Sequence, residues 1–208
     1  MNGKFQTRWI TATTIGFNVG CFFGLYFFFT LPVTNGERSD SLPHLLFSSA
    51  LGSALGGLFL GISQWLVLRK HIPNANRWIA ATAGSITLSC TMYVVLKGLL
   101  DPSIYVLVGL TLLGIASVGI AQGWVLGKSK IWRWLRTTLI GLISFSVMQC
   151  ISFALGLAIF QAFFGHLDKS WALFGYVIVG APIAGGIAGA ATYGAITGRA
   201  LIGLLKGE

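Results

Sequence analysis

The fold class this sequence predicts is all-α, a polytopic bundle of six transmembrane helices, and three observations carry it. Hydrophobic residues fill 55% of the 208 positions and charged residues only 9%, against roughly 25% charge in a soluble domain. The apolar residues fall into six runs, 9–31, 45–68, 78–100, 104–126, 134–164 and 171–201, each at or above the roughly 20 residues that cross hydrocarbon as a helix. The basic residues are sorted onto alternate connections. Backbone polar groups in lipid must be satisfied within the segment, and the alternation of a barrel strand is absent, so helix is the expected conformation throughout. The chain reads as one integral membrane domain over 1–208, with no stretch left for a soluble domain.

The first run follows Lys4 and Arg8 and continues to residue 31. It is longer than the about 7–15 apolar residues of a signal peptide, so it is expected to remain as the first span. The later connections carry the orientation signal. On the side of the N-terminus stand Lys4, Arg8, Arg69, Lys70, Arg77, Lys128, Lys130, Arg133, Arg136, Arg199 and Lys206, whereas Arg38, Lys97 and Lys169 stand on the other. Positive charge in short loops marks the cytoplasmic face, so both termini are expected there, or on the equivalent side of an internal membrane. The net charge of +9 is absorbed by this role and by anionic headgroups, and no nucleic acid is expected as partner. Trp9, Trp65, Trp78, Trp124 and Trp134 lie near the same ends, and with Arg8, Arg69, Arg77 and Arg133 they are expected to anchor the inner interface; Trp171 stands alone at the other.

The third and fifth runs open as the first does. Arg8-Trp9-Ile10, Arg77-Trp78-Ile79 and Arg133-Trp134-Leu135 each have a threonine four residues after the tryptophan, Thr13, Thr82 and Thr138. In the second and fourth runs Gln64 and Gln122 each follow a glycine, Gly61 and Gly119, by three residues; in the sixth, Tyr193 is taken to stand in the glutamine's place. The pattern predicts three similar hairpins, at about 1–72, 73–129 and 130–208.

Helices in lipid associate through close packing of small residues. Gly16, Gly20 and Gly24 form such a stripe on the first span, Gly57 and Gly61 on the second, and Gly186, Ala190, Gly194 and Gly198 on the sixth. Ala190→Leu or Gly194→Leu is expected to disrupt the fold.

Chemistry is sparse. The apolar runs lack the buried carboxylates of proton pumps. His44, His71 and His166 lie in loops on both sides, so no shared metal or haem is expected. No hydrolase, zincin or phosphate-loop motif occurs, and no cofactor or enzymatic activity is expected. Cys21, Cys90 and Cys150 are odd in number and sit inside apolar runs, where a thiol packs as a small hydrophobe. The polar residues left are amides, Asn18, Gln64, Gln122, Gln149 and Gln161. They are read as interhelical hydrogen-bonding positions, with Gln64→Leu expected to be tolerated. The functional alternative is a neutral ligand site opening inward, lined by Gln64, Gln122, Trp65 and Trp124.

The string Gly61-x-x-Gln64-Trp65-Leu66-Val67-Leu68-Arg69, with Arg77-Trp78-Ile79-Ala80-Ala81-Thr82 after a short turn, resembles uncharacterised multi-pass membrane proteins of cyanobacteria and other bacteria. The likeness is firmest over 57–85 and fades over 114–141, where Gly123 and Gly127 depart from the pattern. It implies no known activity, and it implies a bacterial plasma membrane or a thylakoid membrane as the location. A looser likeness, in size and six-helix layout alone, is to the substrate-binding subunits of energy-coupling-factor vitamin transporters, with no shared motif. The resulting expectation is a non-enzymatic subunit, assembly factor or scaffold of a larger membrane complex, contacting lipid and other membrane subunits. The alternative is a small-molecule permease or the substrate-binding membrane subunit of a transporter; a permease would need a polar cavity reaching the midplane, and a scaffold would not.

Overall fold

Apolar runs with so few breakers can satisfy their backbone only as helices, and the chain folds as an all-α helical bundle. The computed structural model describes residues 3–30, 33–34, 37–38, 42–100, 104–164 and 181–207. Within them the helices are α1 (Gly3–Thr30), α2 (Leu42–Leu68), α3 (Asn76–Leu100), α4 (Ile104–Leu126), α5 (Ile131–Phe164) and α6 (Ala181–Lys206). The shortest, α4, has 23 residues, about 35 Å at 1.5 Å per residue. Three stretches of the described residues, Leu42–Leu68, Asn76–Leu96 and Lys128–Ser152, are long and apolar enough to cross a membrane. Between α1 and α2 the chain forms a two-residue antiparallel ladder, Val33 opposite Arg38 and Thr34 opposite Glu37.

The connections at the basic end are tight. Leaving α2, the Ile72 amide donates to the Leu68 carbonyl at 3.1 Å, and Asn74 takes a left-handed φ of 58° before the Trp78 amide donates to Ala75 at 3.0 Å. Asparagine tolerates that conformation better than most side chains. Leaving α4, Gly127 has φ 114°, which glycine alone adopts without strain, and a 3-10 turn over Lys128–Lys130 leads into α5.

Each helix packs on its neighbours in sequence, and α6 closes on α1, so the six form a ring. The seams are small-residue contacts. A Cβ on Gly20 would lie 2.6 Å from the Gly56 carbonyl oxygen across α1 and α2, and one on Gly57 would lie 2.7 Å from the Ala83 Cα across α2 and α3. Gly16 meets Ser63, Gly186 meets Asn18 and Gly198 meets Trp9, while Ala190 is 1% exposed. The side-chain surroundings of Gly24, Gln149 and Gln161, and all of His166 and Trp171, lie outside the described residues.

The main apolar cluster is not at mid-height. Phe5, Trp9, Leu68, Ile72, Ala75, Trp78, Trp134, Leu201 and Leu204 are buried together at the basic end. Outward-facing residues along the helices are apolar and exposed, among them Phe22, Leu58, Leu88, Leu113 and Ile143. An apolar outer wall of this extent is what lipid contact requires.

Candidate functional site

The site is built from the tryptophan helices. A residue and the one four positions later share a helix face, so Trp9 with Thr13, Trp78 with Thr82 and Trp134 with Thr138 point the same way. That way is inward: the three indoles are 0% exposed, and the three threonines are buried as well. Trp9 and Trp78 meet edge to face at 5.9 Å between centroids, and Trp78 and Trp134 at 5.6 Å. The expectation that these three anchor the interface is therefore corrected for their side chains. An indole buried in the bundle keeps its apolar payload if its N–H finds an acceptor, and each of these does. Trp124 and Trp132 face outward, 66% and 80% exposed. Trp65 is half-buried with the Arg69 guanidinium 5.3 Å from its ring, and the side chains of Arg8, Arg69, Arg77 and Arg133 are exposed.

The acceptors come from the even-numbered helices. Gln64 Oε1 accepts from Trp78 Nε1 at 2.9 Å, and Gln64 Nε2 donates to Thr13 Oγ1 at 3.3 Å. Gln122 Oε1 accepts from Trp134 Nε1 at 3.3 Å, and Gln122 Nε2 donates to Thr82 Oγ1 at 2.9 Å. Each amide thus ties three helices together, with both ends used. At the closing seam Trp9 Nε1 donates to Thr197 Oγ1 at 3.0 Å, and Thr197 donates to the Tyr193 carbonyl at 2.8 Å.

The glycines before the acceptors repeat one contact. Gly61 sits on Ile79 and Thr82, Gly119 on Leu135 and Thr138, and Gly194 on Ile10 and Thr13, the nearest atoms lying 3.0–3.1 Å from a built Cβ. Thr197 follows Gly194 by three residues, as Gln64 follows Gly61 and Gln122 follows Gly119, so Thr197 and not Tyr193 stands in the glutamine's place. That spacing was legible in the sequence. Threonine has one short arm where glutamine has two groups, and the third bridge is incomplete. No amide reaches the buried Thr138 Oγ1, which instead lies against the Tyr193 hydroxyl, and the Tyr193 ring packs on Gly141.

This geometry reverses the expectation for Gln64→Leu. The variant strands the Trp78 N–H and the Thr13 hydroxyl, and an unsatisfied buried group costs about 1–3 kcal/mol. The threonines separate in the same way. Thr82→Val should destabilise by about 1 kcal/mol, because Gln122 loses its acceptor, whereas Thr138→Val should cost less, because no glutamine amide relies on that hydroxyl. Thermal unfolding in mild detergent reads both; equal effects would contradict the asymmetry.

Above this layer the ring is hollow. A cavity of about 880 Å³ receives side chains from every helix, with Thr13, Gln122 and Tyr193 next to the tryptophan floor and Leu42 and Gly98 at its far end. Along α4 its lining runs from Gln122 to Leu110, about 18 Å of helix, so its mean cross-section is roughly 50 Å². The wall is mainly aliphatic and aromatic, including Phe17 and Phe145, whose rings meet edge to face at 4.9 Å. Its polar groups are few: the hydroxyl residues Ser49, Ser89, Tyr93 and Tyr193, the Cys90 thiol and the inner-end pair Thr13 and Gln122. Ser89 and Ser117 share a hydrogen bond of 3.1 Å. No Asp, Glu, Lys, Arg or His side chain lines the cavity among the described residues.

No protein-family model matches the chain, and no curated protein or solved structure does either.

The proposed inward-opening site of Gln64, Gln122, Trp65 and Trp124 is not formed. Gln122 alone of the four reaches the cavity, Trp124 is outside the ring, and the buried tryptophans close that end. Asn18 donates to the Thr14 carbonyl of its own helix at 2.8 Å and packs on Gly186. Sequence reasoning missed the residues that line most of the cavity, because aliphatic positions facing a void look the same in the sequence as those facing lipid. No group of three or more metal-ligating side chains comes together among the described residues.

Proposed function

We propose that the chain is a non-enzymatic membrane subunit that holds a neutral, largely apolar small molecule inside its helical ring and serves a larger membrane complex as a binding component. The central cavity carries this reading. Ligand sites are commonly concave, about 300–1,000 Å³ in volume and apolar with a few placed polar groups, and the 880 Å³ interior has that character. The absence of charge from its described wall selects a neutral occupant, since an ionised group in such surroundings pays a large desolvation cost. The tryptophan floor favours retention over free passage. The permease reading of the sequence called for a polar cavity, and this one is largely apolar, so binding is the better supported of the two.

In this reading the chain crosses the membrane six times as three repeated hairpins, with both termini on the basic, cytoplasmic side of a bacterial plasma or thylakoid membrane. The recurring contacts among tryptophan, threonine and glycine at the three corners support the repeat, and the positive-inside rule supports the orientation.

The test is solvent extraction and mass spectrometry of protein purified in mild detergent. Wild-type protein should carry a near-stoichiometric neutral, apolar compound. Val118→Phe with Val94→Phe, which fills the cavity from α4 and α3, should lose it while retaining a monodisperse fold. Retention of the same compounds by both proteins would place them on the outer surface and refute the assignment.

A further inference from the structure

A second concavity lies on the outside of the ring, at the basic end between α1 and α2. It is a groove of about 720 Å³ and is lined by Lys4, Arg8, Arg69 and Lys70 at one end and by Ala12, Ile15, Ser63 and Leu66 at the other. The two sets follow from helix geometry. Arg8, Ala12 and Ile15 fall at i, i+4 and i+7 of α1, and Ser63, Leu66 and Lys70 at i, i+3 and i+7 of α2 and the turn after it, each a single helix face. Because α1 and α2 run antiparallel, the cationic ends coincide. Arg8 and Ile15 are seven residues apart, about 10 Å along the helix.

All four cationic side chains are exposed, and none has an acidic partner among the described residues. Arg69 is held in place by the face of Trp65. Ile15 and Leu66, in the other half, are 56% and 50% exposed. Four uncompensated charges call for an anion, and the apolar half calls for hydrocarbon. α1 starts six residues before its tryptophan, whereas α3 starts two before; the extra turn supplies Lys4 and gives this corner a wall that the second corner lacks.

The geometry points to a binding site for an anionic phospholipid of the leaflet at the basic end. Its phosphate sits among Lys4, Arg8, Arg69 and Lys70, and an acyl chain lies along Ala12, Ile15 and Leu66. Charge complementarity fixes the headgroup sign, and the continuity of the cationic and apolar halves distinguishes a lipid from a free phosphate. The site is independent of the central cavity, being on the other side of the α1–α2 seam.

The full chain in mild detergent should bind dioleoylphosphatidylglycerol, seen as retained lipid in native mass spectrometry and as a raised Tm. Dioleoylphosphatidylcholine and glycerol 3-phosphate should do neither. Arg8→Gln with Arg69→Gln should weaken phosphatidylglycerol binding about 30-fold, the product of about a fivefold loss for each cation at a lipid surface. Arg136→Gln with Arg199→Gln removes the same net charge from exposed sites outside the groove and should leave binding within about threefold. Lys4→Gln with Lys70→Gln gives an independent pair should the first prove unstable in phosphatidylcholine. Equal losses in the groove and control pairs would reduce the effect to a diffuse field and overturn the site. Phosphatidylcholine binding as tightly as phosphatidylglycerol would overturn it, and so would competition by glycerol 3-phosphate at the lipid's own affinity.

Discussion

Trp78→Ala should cost the bundle about 4 kcal/mol, the range for truncating a fully buried tryptophan being about 3–5. The Trp78 ring is 0% exposed, lies between Trp9 and Trp134, and donates to Gln64. Removing it opens a void in the main apolar cluster and leaves the Gln64 carbonyl without a donor. The loss falls where α1, α3 and α5 meet, so it should lower the stability of the whole ring rather than fray one corner. Trp78→Phe separates the two contributions: it restores most of the ring volume and forfeits the hydrogen bond, and it should recover more than half of the loss. Unfolding by denaturing detergent, followed by circular dichroism, measures both. A Trp78→Ala protein within about 0.5 kcal/mol of wild type would behave like an ordinary surface substitution and contradict the role of the layer.

Gly57→Leu should prevent the fold from forming. A Cβ there would already lie 2.7 Å from the Ala83 Cα and 3.3 Å from its carbonyl oxygen, and backbone cannot rotate aside as a side chain can. The α2–α3 seam would have to separate along its length, and in lipid no hydrophobic driving force compensates for the lost contact. Overpacking commonly costs about 1–3 kcal/mol where side chains can yield; against backbone the effect should exceed that range. The readout is the yield of monodisperse protein on size exclusion in mild detergent, expected to fall to near zero. Gly84→Leu on α3 is the matched control, since a Cβ at Gly84 meets nothing within 4 Å, and it should be extracted like wild type. Equal yields would mean that α2 and α3 do not pack through Gly57.

Several features could be read one residue at a time. The six helices follow from apolar run length, and Gly16, Gly20, Gly57, Gly61, Gly186, Gly194 and Gly198 meet neighbouring helices. Gln64 and Gln122 were legible as interhelical positions because an amide in an apolar run needs partners. Their partners were not, since the acceptor Thr13 is 51 residues from Gln64 and the donor Trp78 is 14 away on another helix. Trp9, Trp78 and Trp134 were misread for a related reason. Arginine followed by tryptophan at a helix end has two stable arrangements, ring toward the headgroups or ring toward the bundle axis. The sequence places the residue at the right depth in both. Thr197 shows the reverse case, a position marked by Gly194 three residues before but hidden by a change of side chain.

Hydropathy, run length and the sorting of fourteen cations sufficed for the number of helices and for which ends gather the charge, because these properties add up locally along the chain. Tertiary structure alone decided the azimuth of each helix: tryptophans inward at the basic end, aliphatic residues around a hollow above them, and α6 closed against α1. Rotation about a helix axis leaves every local term unchanged and is fixed only by the neighbours on both sides, so it appears only when the ring is complete.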